Sequence, residues 1–256
     1  MKISVITVSY NSEKTIRDTL KSVYTQSHDS IEHIIIDGNS IDKTTTILKE
    51  YESKFENTNI VYKWISEKDN GIYDAINKGI KMATGEVVGI LNSDDYYTDS
   101  SVLADISETF VNKECECLYA NLKYIDPTTE KVTRDWKSKP FRNGLFEKSW
   151  TPAHPTFYCK KSVYDKYGLY RTDFKIAADV ELMYRFLEKN NILSHYLDRY
   201  IVTMRQGGVS SSGLKSTIII TKEMIRAFKD NGNHLNIVKY LFYKGLKLKE
   251  FIIDNN

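Results

Sequence analysis

Apolar residues recur along this chain in blocks that switch between strand-like runs and helix-like spacing. Residues 3–10, rich in β-branched side chains, predict a first strand, and Ser12 stands where an N-cap would open a helix with Ile16, Leu20 and Val23 inward. Residues 31–36 predict a second strand ending in Asp37-Gly38-Asn39-Ser40. Asp42 can then cap a helix carrying Ile47, Leu48, Tyr51 and Phe55 on one side. Residues 60–65 predict a third strand, and Ile72, Ala75, Ile76, Gly79, Ile80 and Ala83 a third helix, closed by Gly85. Residues 86–91 are almost unbroken apolar, as a strand buried on both faces would be, and run directly into Asn92-Ser93-Asp94-Asp95.

Strand and helix thus alternate three times with short connections. That order specifies an α/β fold with a mostly parallel sheet flanked by helices, and such sheets bind ligands beyond the carboxyl ends of their strands. Here those ends carry Tyr10-Asn11, Asp37-Gly38-Asn39, Glu67-Lys68-Asp69 and Asn92-Ser93-Asp94-Asp95, four polar ends on one rim. Adjacent carboxylates at a buried strand's end repel each other and lose solvation, which points to a cation. Taken alone, the same residues also make a turn. No Gly-x-Gly-x-x-Gly or P-loop pattern occurs, so a diphosphate on this rim would be neutralised by a metal rather than by a loop of amides.

Further along, residues 99–111 predict a helix with Val102, Leu103, Ile106 and Phe110 inward. Residues 115–158 read as strands and loops, with Asp126-Pro127-Thr128-Thr129 as a hairpin turn and Cys115-Glu116-Cys117 as alternating strand positions. Residues 177–187 predict an amphipathic helix, residues 200–204 a strand, and the chain after Leu214 two helices parted at Asn231-Gly232-Asn233.

The totals narrow the partners. The chain's 256 residues suffice for one large domain or two close ones, and 36 basic against 34 acidic residues leave no field that favours nucleic acid. After Gly213, eight Lys/Arg face four Asp/Glu, an excess of +4 that leaves the rest near −2. Three cysteines without a Cys-x-x-Cys pair suit a reducing cytoplasm. No run of about 18 apolar residues predicts a membrane span, and the start predicts no signal peptide.

The motifs Val5-Ile6-Thr7-Val8-Ser9-Tyr10-Asn11, Ile36-Asp37-Gly38-Asn39-Ser40-Ile41-Asp42-Lys43-Thr44, residues 67–79 (Glu67-Lys68-Asp69-Asn70-Gly71 onward) and residues 85–95 (Gly85-Glu86 through Asp94-Asp95) resemble glycosyltransferase family 2. Those are nucleotide-sugar-dependent enzymes of the GT-A fold. The resemblance continues more loosely through Ile176-Ala177-Ala178-Asp179-Val180-Glu181-Leu182 to Gly207-Gly208-Val209-Ser210. It implies a nucleotide-sugar-binding half over 1–98, a mixed acceptor and catalytic-base half over 99–212, and a helical tail over 213–256. It implies Tyr10 against the base, Asp37 and Asp69 on the nucleoside, Asp94 and Asp95 as the acidic motif for Mn²⁺ or Mg²⁺ with Asp95 the direct ligand, and Asp179 as the catalytic carboxylate. Many members carry two adjacent acids at the second strand's end, where this chain has Asp37-Gly38.

The expected reaction is metal-dependent, inverting hexosyl or N-acetylhexosaminyl transfer. The donor would be a nucleoside-diphosphate sugar, a UDP-sugar by preference, and the acceptor a hydroxyl of a glycan or lipid-linked glycan in surface polysaccharide biosynthesis. Several residues keep two readings. Asp179 also suits a helix first turn. His154, between Pro152 and Pro155, faces substrate, adds a metal ligand, or is structural. Arg205 is a counter-charge for donor phosphates in a mobile loop, or part of a solvated turn. Trp136 and Trp150 stack on an acceptor sugar or pack in the core. In the tail, Leu235, Val238, Leu241, Phe242, Leu246 and Ile252 with Lys239, Lys244, Lys247 and Lys249 either pack on the body or adsorb to an anionic bilayer, which would place a cytoplasmic enzyme at the inner face of the plasma membrane. Two rivals stand beside the transferase. A nucleotidyltransferase needs basic phosphate ligands near the first strand, which Tyr10-Asn11-Ser12-Glu13 lacks. A catalytically silent nucleotide- or glycan-binding module would lose nothing when Asp179 becomes Asn.

Overall fold

β1 (Ile3–Ser9) and β2 (Ile31–Asp37) are buried along their whole length, as befits central strands covered on both faces. β3 (Val61–Ser66) and β4 (Val87–Ile90) flank them in the parallel order β3-β2-β1-β4. α1 (Ile16–Tyr24), α2 (Thr44–Phe55) and α3 (Ile72–Met82) carry the chain between them. The structure, a computed structural model, describes residues 1–207 and 214–253, with side chains described at 1–207 and 215–246. α3 lies hard against β1: a Cβ at Gly79 would stand 2.4 Å from Ile6 Cγ2, so glycine sets that spacing. The first helix departs from expectation, opening at Ile16 without a side-chain cap. Ser12 is engaged elsewhere, its hydroxyl 2.8 Å from Ser93 Oγ and its carbonyl accepting from the Thr15 and Ile16 amides.

Beyond β4 come β5 (Tyr96–Tyr97), α4 (Val102–Asn112), β6 (Cys117–Ile125), β7 (Val132–Trp136), β8 (Tyr158–Lys160), α5 (Lys161–Tyr167), α6 (Ala178–Tyr184) and β9 (Ser194–Arg205). Among the described residues these complete one nine-stranded sheet, ordered β3-β2-β1-β4-β8-β6-β9-β5, with β7 paired to β6. β8 runs antiparallel to both β4 and β6, while β6 and β9 are parallel, so this half is mixed. Asp126 makes the β6–β7 turn by accepting from the amides of Thr128 and Thr129 at 3.0 and 2.7 Å. All three cysteines are buried and unpaired.

Alternate residues of β1 face opposite cores. Ile6 and Val8 join α3, whereas Ile3 and Val5 join α4. The tail enters the first of these cores. In α7 (Leu214–Asp230) Met224 and Phe228 are buried, and in α8 (Ile237–Ile253) so is Tyr240; Phe228 stacks on Tyr184 at 4.2 Å. Lys239 pairs with Glu147, and Lys244 donates to Thr221 Oγ1 at 3.3 Å. Lys239 therefore faces the body and Lys244 faces α7, while Val238, Leu241 and Phe242 are 76, 48 and 62 % exposed. An electrostatic bilayer contact through Lys244 does not match this arrangement. Lys247, Lys249 and Ile252 have side chains outside the described residues, as does the glycine loop from Gly208 to Ser210. No helix among the described residues is long and apolar enough to cross a membrane.

Candidate active site

Four parallel strands place their carboxyl ends side by side, and the residues there divide into builders and free groups. Asp37 is fully buried, and its carboxylate is spent inside the protein. Oδ1 accepts from Ser9 Oγ at 3.0 Å and Ser40 Oγ at 2.5 Å; Oδ2 accepts from the Ser40 amide at 2.9 Å and Ser66 Oγ at 2.7 Å. Asp37 ties three strand ends together through these bonds, and the nucleoside contact expected of it would have to be made beside them. Gly38 explains the missing second acid. A Cβ there would meet Asp69 Oδ2 at 2.6 Å and the Tyr10 ring at 3.4 Å. Its bareness lets the Asp69 carboxylate lie over it beside Tyr10; Tyr10 is 65 % exposed, and Asp69 is itself held by the Gly71 amide at 2.9 Å.

The loops after β1 and β2 are stitched to each other. Asn11 N donates to Ser40 Oγ (2.8 Å), Ile41 N to Asn11 Oδ1 (3.0 Å), Ser12 N to Thr44 Oγ1 (2.8 Å), Glu13 N to Asp42 Oδ2 (3.0 Å) and Lys43 N to Glu13 Oε2 (3.0 Å). Asp42 also accepts from the Thr44 amide at 2.9 Å, but the residue in the N-cap place of α2 is Lys43 and no side chain caps from there, so the predicted Asp42 cap shifts to a contact from one residue earlier. These polar residues satisfy backbone rather than await a ligand.

Asp95 is the opposite case. Its side chain is fully buried; Oδ2 receives only Asn92 Nδ2 at 3.2 Å, and Oδ1 has no hydrogen-bond partner among the described residues. Burial, and then the neighbouring Asp94, push its carboxyl well above the usual carboxylate range. Burial raises Asp94 as well, with Arg205 and His154 opposing. Arg205, at the end of β9, donates to the Asp94 carbonyl at 2.9 Å, pairs with Asp18 at 2.5 Å and lies over the Tyr96 ring at 5.1 Å. It clasps the acidic turn from the far half of the sheet.

In the second half of the chain, Asp179 sits in the first turn of α6 with Oδ2 3.3 Å from His154 Nδ1 and Oδ1 buried without a partner among the described residues. His154 occupies the short turn His154–Thr156, between its two prolines. Tyr124 on β6 links the two sides: burial raises its phenol, Arg134 opposes, and both Asp95 and Asp179 add to the rise. Tyr124 carries Trp136 stacked at 6.4 Å, with Arg134 over both rings. Trp150, by contrast, lies in the core, 7 % exposed and packed on Tyr119 and Phe141, so it offers no face to an acceptor. Tyr124 was not signalled by the sequence, where it is one aromatic among many.

No group of three or more His, Cys, Asp and Glu among the described residues is arranged to hold a metal. Asp94 and Asp95 supply hard oxygen donors, and the orphaned Oδ1 of Asp95 fits a divalent cation whose remaining ligands come from water or a bound diphosphate.

This is the fold of the GT-A glycosyltransferases. Staphylococcus aureus TarS 1–349, in complex with UDP-GlcNAc, aligns with a TM-score of 0.70 at 20 % identity, over 95 % of this chain and 72 % of that one. Of the longer TarS chain, 43 % is covered. A mannosyltransferase of Pyrobaculum calidifontis in complex with GDP-Man and Mn²⁺ aligns with a TM-score of 0.66 at 16 % identity, over 95 % and 68 % of the two chains. The sequence makes the narrower assignment: residues 4–170 match glycosyl transferase family 2, and the chain belongs to that family. An uncharacterized glycosyltransferase of Mycobacterium tuberculosis is 34 % identical over 191 residues, 72 % of this chain and 68 % of its own. TuaG of Bacillus subtilis, named as a teichuronic acid biosynthesis glycosyltransferase, is 44 % identical over 93 residues, 36 % of each chain.

Proposed function

We propose that this glycosyltransferase moves a hexosyl or N-acetylhexosaminyl group from a nucleoside-diphosphate sugar to a hydroxyl of a glycan or lipid-linked glycan, with inversion at the anomeric carbon. The observation that carries the proposal is a pair of buried carboxylate oxygens without a partner among the described residues, Asp95 Oδ1 and Asp179 Oδ1, whose carboxylates both act on Tyr124. The donor's base would lie on Tyr10, its nucleoside against Asp69 over Gly38, and its diphosphate toward Asp94 and Asp95. When bound there, Mn²⁺ or Mg²⁺ supplies Lewis-acid neutralisation of the leaving diphosphate. Asp179 takes the proton from the incoming hydroxyl, a contribution worth roughly a hundredfold to ten-thousandfold. Attack from the side away from the diphosphate inverts the centre. His154 orients the Asp179 carboxylate, and Arg205 keeps the acidic turn in place while adding positive charge beside it.

The UDP-GlcNAc bound to TarS and the GDP-Man with Mn²⁺ bound to the mannosyltransferase support this class of donor, a UDP-sugar first. TuaG's name supports a surface polysaccharide as product. For a lipid-linked acceptor, the outward apolar residues of α8 would rest on the inner face of the plasma membrane.

Thermal shifts of the full chain with UDP, UDP-GlcNAc or GDP-mannose, each with and without Mn²⁺, test the proposal. A nucleotide and Mn²⁺ together should raise the melting temperature by a few degrees, as selective binding to the native state requires, and Asp95→Asn should abolish the Mn²⁺-dependent part. Asp179→Asn should keep the shift and lose at least about a hundredfold in turnover. If no nucleotide stabilises the protein in the presence of Mn²⁺, the proposal fails.

A further inference from the structure

Asp179 is introduced by an irregular strap, residues 170–177, and most of the interactions fixing that strap come from elsewhere in the chain. α6 opens at Ala178 after Ala177, and no side-chain cap comes from Ala177. The amides immediately ahead of the helix are met by one carboxylate of α7. Glu223 Oε1 accepts from Lys175 N at 2.6 Å, and Oε2 accepts from Ile176 N at 3.1 Å and Ala177 N at 2.8 Å. A carboxylate at this place satisfies orphan amides and complements the helix dipole together.

α3 grips the same strap from the donor half. The Tyr73 hydroxyl donates to the Ile176 carbonyl, and its ring stacks on Tyr170 at 5.9 Å. One turn on, Asn77 donates to the Tyr170 carbonyl at 2.8 Å and accepts from the Tyr170 amide at 3.0 Å. Phe174 is buried against Ala178 and Ala227 between the two grips. On Asp179 itself, Oδ2 lies 3.3 Å from His154 Nδ1, Oδ1 has no hydrogen-bond partner among the described residues, and the charge acts on Tyr73, Tyr124 and Tyr170. His154 can turn the carboxylate, but where it stands in the site follows from the backbone of the strap. A displacement of about 1 Å in a catalytic group can cost on the order of a hundredfold.

We propose that Glu223 is a positioning residue for Asp179, acting through the strap with Tyr73 as its counterpart. The tail helix thereby belongs to the catalytic apparatus. This rests on Asp179 being the catalytic base. Glu223→Gln keeps the shape but replaces one accepting oxygen with a donor that opposes the amides. Tyr73→Phe removes a single hydroxyl, and carries the test should Glu223→Gln fail to fold.

The measurement is hydrolysis of UDP-GlcNAc and GDP-mannose by the full chain with Mn²⁺, water serving as acceptor. Each variant should lower kcat about 10- to 100-fold with donor KM changed less than about threefold. Glu223→Asp should recover part of the loss. In an Asp179→Asn background, Glu223→Gln should cost nothing further, because the group it positions is already gone. A merely structural cap would lower the melting temperature and leave kcat of the folded protein within about twofold, which overturns the proposal. So does an additive loss in the double variant. Full turnover by Asp179→Asn removes the base assignment instead, whatever Glu223 does.

Discussion

Asp37 and Asp95 are both fully buried carboxylates at the ends of parallel strands, yet their surroundings are opposite. Asp37 has its lone pairs filled by three serines, whereas Asp95 has one oxygen without a hydrogen-bond partner among the described residues. Residue type could not separate them, because each follows an apolar strand. The difference lies in Ser9, Ser40 and Ser66, scattered along the chain and joined only by the sheet. His33 on β2 makes a separate, testable case. It is wholly buried, bonded to Thr7 Oγ1 at 2.9 Å and enclosed by Phe55 and Tyr62, and burial lowers its pKa to about 3. The ring is neutral in the fold, while the unfolded chain takes up a proton below its ordinary value of 6.5. Stability from this group is thus complete above that value and lost as pH falls. Between pH 6.5 and about 5, the loss from this group should be about 1.6 kcal/mol. Urea unfolding at the two pH values should show His33→Gln less stable at the upper one and less dependent on pH by that amount.

The alternation of strand and helix up to Asp95 was legible because each element carries its own period and its own stop. Register and strand order in the second half were not. β6 pairs with β7, β8 and β9, and nothing local in its residues names those partners. The stitched loops after β1 and β2 explain a second limit. Ser40, Asp42 and Thr44 look like ligand contacts in a motif but satisfy the amides of a neighbouring loop. Gly38 gives the element-scale test. Gly38→Ala puts a methyl where Asp69 now lies, so Asp69 must move. Nucleotide affinity, by titration calorimetry, should fall about tenfold, near 1.4 kcal/mol, with the melting temperature within a few degrees of wild type. Unchanged affinity would show that the base binds elsewhere.

Across the molecule, charge composition pointed at the tail and left packing and adsorption both open. Lys239 pairs with the body and Lys244 with α7, and the apolar residues Val238, Leu241 and Phe242 are exposed. If that ridge meets lipid, insertion of Phe242 should dominate. Phe242→Ser should reduce sedimentation with phosphatidylglycerol-containing liposomes at least about fivefold, while added salt has a smaller effect. Binding that survives the substitution but vanishes in salt would reverse the assignment. α7 has a plainer consequence. Because Met224 and Phe228 fill the main core and Glu223 holds residues 175–177, a protease cut between Gly207 and Leu214 that released the helices would not trim an appendage. It would release residues 175–177 and, on the roles proposed above, leave Asp179 without the support that turnover needs.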